Sequence, residues 1–176
     1  MSRPDSSASP ALQGCLETCR RCEALVNLVV SDDSKLEVFN AVGPHLRHCL
    51  DHFASLIRGL ESGVVDYDDR GRRASLERDP AKLLAALHQV TAELARLEGR
   101  TTGRSLDVVQ LAAPGRGVHR AASTLERELV FLSSHTVHHL ALAIEIAASL
   151  GLQLPRELGM AFSTAAYLEK NQAASA

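Results

Sequence analysis

A chain of 176 residues, 45% apolar and 23% charged, is long enough to bury one core of ordinary size. Its 19 basic and 21 acidic side chains leave a formal charge of −2, which argues against broad capture of nucleic acid. No apolar run approaches the roughly 18 residues of a membrane span, so no membrane partner is expected.

Residues 1–10, with their Ser, Pro and Asp, have no apolar signal core; they read as a disordered lead, and a cytoplasmic address is expected. One domain is expected over 11–170, with a disordered tail over 171–176. A first helix over 11–30 follows from Leu12, Cys15, Leu16, Cys19, Cys22, Leu25 and either Leu28 or Val29 at helical spacing, and residues 31–34 break it. A second helix runs from about Ala41 to Glu61, closed by Ser62 and Gly63. The charged, Gly-punctuated stretch 63–78 reads as a loop. A third helix opens at Asp79-Pro80, with Asp as cap and Pro in the first helical position, and continues to about Leu97.

Residues 99–118 are irregular, with one strand-like run from Leu106 to Leu111. The fourth helix opens on a Ser123-x-x-Glu126 capping box and runs to Leu150, where Gly151 stops it. A short helix near 163–170 completes the chain. There is no Trp, with two Tyr and four Phe, so the core must be built from Leu, Val, Ile and Ala. Four long helical patterns and little strand signal predict an all-α helical bundle.

Six of the eight histidines fall in two clusters. On the fourth helix, Leu125, Glu128, Leu132, His135, His139, Leu142 and Ile146 make one stripe, so His135 and His139 interrupt an inward-facing apolar seam one turn apart. His138 points away from it. On the second helix His45, His48 and His52 share a stripe, and a helical wheel places His45 and His52 closer to the apolar face than His48. One of the three is enough to complete a three-imidazole site with an open position, the layout of a catalytic metal. Burying several imidazoles without partners is unfavourable, and a divalent ion would satisfy them. Glu128, two turns before His135, is placed to hydrogen-bond a ligand of that ion. No general base is identified.

Other features carry less. Cys15, Cys19 and Cys22 lie on one helical stripe that cannot wrap a cluster, so they and Cys49 read as reduced, buried small hydrophobes. Tyr67, in the loop after the second helix, is placed to offer a hydroxyl at a pocket mouth. Arg47, Arg120 and Arg127 read as surface salt-bridge partners.

Three segments carry a family resemblance: Val42 to Phe53 with its three histidines, Val65-Asp66-Tyr67-Asp68-x-Arg70, and Arg127 to His139 with its HxxxH pair. The stretch Phe162 to Leu168 adds to them. From about residue 41 onward the chain resembles the DinB-like superfamily of bacterial four-helix metalloproteins, which includes bacillithiol S-transferases and mycothiol-dependent maleylpyruvate isomerase. The resemblance implies an up-down-down-up four-helix bundle, with the irregular, partly strand-like connection before the last long helix, and a homodimer. It implies a metal held by His48, His135 and His139, with zinc or nickel ahead of iron or manganese. It also implies a small-molecule substrate: a low-molecular-weight thiol transferred to an electrophile, with hydrolysis or isomerisation next. The alternative is a non-catalytic metal-binding or stress-associated interaction protein of the same architecture.

Overall fold

The computed structural model describes residues 8–31 and 36–174. Most of the expected lead, residues 1–7, lies outside the described residues, as do 32–34 of the expected break and 175–176 of the expected tail.

Helix α1, Pro10–Val30, starts where Ser9 Oγ accepts from the Leu12 amide at 3.4 Å, with Pro10 in the first turn. Helix α2 covers Leu36–Ser62, beginning five residues before the expected Ala41 and carrying Pro44 within it. Helix α3, Pro80–Ala95, is capped by Asp79, whose side chain accepts from the Lys82 amide at 3.0 Å. Helix α4 spans Leu125–Ser149 and α5 spans Phe162–Ala174. At the end of α4, Gly151 takes φ +85° and the Leu152 amide returns to the Ala147 carbonyl at 2.9 Å. Helix α5 extends past the expected residue 170 to Ala174, so most of the expected tail is helical.

α4 packs against α1 and α2, and α3 packs against the same two. Their shared core includes Leu12, Leu25, Phe39, Phe53, Leu129 and Leu140, all buried. Each such side chain contributes roughly 1.5–3 kcal/mol by leaving water. α4 has the length and composition of a membrane-crossing helix, contrary to the sequence expectation that no segment reaches it. Its apolar side chains Leu125, Leu129, Leu132 and Leu140 belong to this core.

The all-α expectation is overturned. Three strands, β1 (Val64–Asp66), β2 (Ser105–Leu111) and β3 (Val118–Thr124), form a mixed sheet in the order β1-β2-β3. β1 runs parallel to β2, and β2 antiparallel to β3 with Val108 opposite Ala121. The protein is therefore a mixed assembly of helices and sheet, not an all-α up-down-down-up bundle.

Two physical reasons hid the sheet. β1 is three residues long, and β3 is exposed nearly throughout, so neither needs an apolar alternation. Pairing with β2 defines them instead. β3 also takes Ser123 out of the expected capping box: the cap is Thr124, whose hydroxyl accepts from the Arg127 amide at 3.2 Å.

Two glycines fix how the sheet and its approach lie on α2. A Cβ on Gly59 would stand 2.6 Å from the Val64 carbonyl oxygen, so only glycine lets β1 fold back this closely. A Cβ on Gly43 would stand 2.3 Å from the Glu77 carbonyl oxygen, which keeps the helical turn Ala74–Glu77 directly on the helix. The segment between those contacts, from β1 to the turn, carries Tyr67 and Arg70 to the histidine face of α2.

Candidate metal centre

The histidines of α2 and α4 meet where the two helices pack. His48, His52 and His135 each offer a nitrogen, and these nitrogens lie within 4.8 Å of one another. Three histidines are therefore close enough to hold one metal ion. His139 borders the group, its ring centroid 4.6 Å from those of both His48 and His135. Its Nδ1 faces His45 Nδ1 at 3.0 Å. Of the expected triad, His48 and His135 belong to the tight group, His52 completes it, and His139 pairs with His45. His138 is exposed, its ring 5.4 Å from that of His139.

Two details suit this group to a cation. His52 Nδ1 donates to the His48 carbonyl at 2.8 Å, which leaves the Nε2 lone pair free. His135 Nε2 is buried with no hydrogen-bond partner. A buried imidazole nitrogen without a partner is costly, and a metal ion removes that cost.

Electrostatics hold the rings in the ligating form. Burial, then the neighbouring His52, His139, His135 and Arg70, pushes His48 down to about 3. Burial first, then His52 and its neighbours, brings His135 to about 4. His139 falls to about 4 through burial, then His45. His45 and His52 are also lowered, again chiefly by burial. All five rings are thus neutral at pH 7, each with a nitrogen lone pair.

An aromatic wall backs the cluster. Tyr67 stacks on His52 at 5.5 Å and Phe131 on His135 at 5.5 Å, and the two wall rings are themselves 5.5 Å apart. Beyond them, between α4 and the β2–β3 hairpin, lies a cavity of about 560 Å³ lined by Tyr67, Val108, Gln110, His119, Arg127 and Phe131 among others.

Glu128 does not reach the histidines as its stripe suggested. It is fully buried, and its oxygens accept from Tyr67 Oη at 2.8 Å, Ser123 Oγ at 2.5 Å and Arg127 Nη1 at 2.9 Å. Burial and this carboxylate push the Tyr67 phenol up, so it stays protonated and donates. Its hydroxyl is therefore committed to Glu128 and is not offered at an open mouth. Arg47 pairs with Asp51 and Glu77, each at 2.5 Å, and Arg120 pairs with Asp107 at 2.7 Å. These arginines are salt-bridge partners, as their sequence context suggested. All four cysteines are buried free thiols, and Cys15 Sγ donates to the Leu129 carbonyl at 3.0 Å.

Arg70 enters the sequence reading only within the resemblance and without a role in the site, yet its Nη1 lies 3.0 Å from His48 Nδ1. No local pattern signals that contact; it depends on how the chain leaves β1. His52 did have a signal, since the helical wheel already set it nearer the apolar face than His48. No family model, no curated protein and no solved structure matches this chain.

Proposed function

We propose that this protein is a divalent-metal-dependent enzyme whose ion is held by His48, His52 and His135, with His139 at its margin. The observation that carries this reading is the grouping of one nitrogen each from His48, His52 and His135 within 4.8 Å, beside a buried His135 Nε2 that has no hydrogen-bond partner. Imidazole nitrogens suit zinc, nickel, copper or iron, and three of them with an open position are the usual catalytic set for zinc. Zinc is the first choice and nickel the second.

A bound ion would supply Lewis acidity, drawing a thiol or a water toward its deprotonated form at neutral pH. The protein's own groups do the rest. His52, held through its Nδ1 by the His48 carbonyl, keeps its ring oriented. Tyr67 and Phe131 shield two of the imidazoles from water on the cavity side. The cavity beyond that wall is of a size that accepts a small molecule.

The reaction we favour is transfer of a low-molecular-weight thiol to an electrophile: sulfur gives its proton to solvent and bonds to the electrophilic carbon, while the bond from that carbon to the leaving group breaks and the leaving group departs with the electron pair. It follows from the proposed kinship with DinB-like thiol-dependent enzymes. The test is a turnover screen with zinc- and nickel-loaded protein, small thiols and model electrophiles. Metal-dependent turnover abolished by His135→Ala, in a variant that keeps its helical circular dichroism, is expected. Stoichiometric metal with no turnover across the screen would instead favour the non-catalytic metal-binding protein.

A further inference from the structure

Arg70 follows β1, and its guanidinium reaches into the imidazole cluster. Nη1 lies 3.0 Å from His48 Nδ1, while Nε is buried with no hydrogen-bond partner. An arginine carries only donors, so the contact has one sense: Arg70 donates and His48 Nδ1 accepts. No ion pair among the described residues includes Arg70, whereas Arg47, Arg58, Arg120 and Arg127 each have a carboxylate. Arg70 is thus a partly buried cation whose side chain is turned to an imidazole instead of an acid.

That contact is incompatible with metal ligation by His48. A neutral imidazole has one free nitrogen lone pair, and Arg70 takes it at Nδ1. An ion bound through Nδ1 would replace the guanidinium directly. An ion bound through Nε2 would put the ring proton on Nδ1, setting one N–H against another. By either nitrogen, His48 serves the metal only when Arg70 lets go.

A displaced guanidinium beside a divalent ion is two like charges at short range, and an anion between them relieves the repulsion. The planar fork of arginine fits a carboxylate, which also offers an oxygen to a cation. We propose that Arg70 competes with the metal ion for His48 and, once displaced, binds the carboxylate of the ligand that enters the centre. The proposal rests on the histidine cluster being a metal centre, and it assigns the substrate a class: a small molecule bearing a carboxylate. Metal and anion then bind cooperatively, each favouring the other through one side chain.

The experiment is cobalt(II) titration of the full, tag-free chain, followed by visible absorption, with and without acetate at constant ionic strength. Wild type is compared with Arg70→Met and Arg70→Lys, each checked for fold by circular dichroism. Removing the competitor and its charge in Arg70→Met is expected to tighten cobalt binding about tenfold without acetate. Acetate is expected to tighten binding about fivefold in wild type and less than about twofold in Arg70→Met. Arg70→Lys, which keeps the charge without the fork, is expected to bind cobalt as weakly as wild type and to lose most of the acetate response; it carries the test if the Met variant does not fold. Cobalt uptake by Arg70→Met but not by wild type would also support the competition. Equal cobalt affinities in wild type and Arg70→Met, or an undiminished acetate response, would overturn the role of Arg70 and leave the metal centre standing. Failure of all three proteins to bind cobalt would overturn both.

Discussion

Among the described residues, four cysteines are buried and five clustered histidines are buried or half-buried, and desolvation has opposite consequences for the two groups. On α1, Cys15, Cys19 and Cys22 line one stripe near Cys49; on α2 and α4, five histidines meet. Low dielectric favours the neutral form of each. For the cysteines this raises the thiol, Cys19 to about 11 and Cys49 to about 12, leaving protonated sulfur that neither binds metal nor attacks. For the histidines it lowers the imidazole, and the neutral ring is the ligating form. The same desolvation disarms the cysteines and arms the histidines.

The sharpest break of that comparison is loss of a ligand. His48→Ala and His135→Ala are expected to reduce bound metal by at least about tenfold, read by elemental analysis. His52→Ala and His139→Ala separate the geometric set from the set implied by resemblance. Loss of metal is expected for His52→Ala, and only a smaller loss for His139→Ala; the reverse order would restore the expected triad.

Acid is the next largest effect. His48, His135 and His139 bind a proton less readily in the folded chain than at their ordinary value of 6.5. The unfolded chain therefore takes up more protons as pH falls. Stability from these rings is complete above about 6.5 and is lost progressively toward about 4 for His135 and His139 and toward about 3 for His48. The melting temperature of metal-free protein is expected to fall between pH 7 and 5, more steeply in wild type than in a His135→Ala/His139→Ala variant. Equal slopes would contradict the account.

The cysteine side predicts a change in stability without a change in metal. Cys19→Ala opens a small void in a buried helix face and is expected to cost about 1–2 kcal/mol, with bound metal unaltered. Altered metal content in that variant would return the thiols to the site. Smallest of all, His88→Ala removes an exposed ring that pairs with Glu23 at 3.1 Å; stability should move by less than about 0.5 kcal/mol and metal not at all.

What the sequence disclosed follows the same division between local and long-range causes. The Asp79-Pro80 start of α3 and the Gly151 stop of α4 are written in a few adjacent residues, and both stand where they were read. The HxxxH face of α4 is likewise a local periodicity. β1 and β3 are defined by pairing with β2, a contact made across the chain, so no periodicity announced them. Glu128 shares the His135 stripe, yet Tyr67 and Ser123, from other elements, draw its carboxylate away. Arg70 reaches His48 from a segment whose two ends lie close on α2 at Gly59 and Gly43, a contact no local pattern announces.

The most direct measurement is the metal content of tag-free wild type beside His48→Ala/His135→Ala after equilibration with zinc. Close to one ion per chain is expected in the wild type and almost none in the variant, with both proteins folded. A folded wild type that takes up no zinc or nickel, or a variant that retains its ion, would contradict the proposed centre.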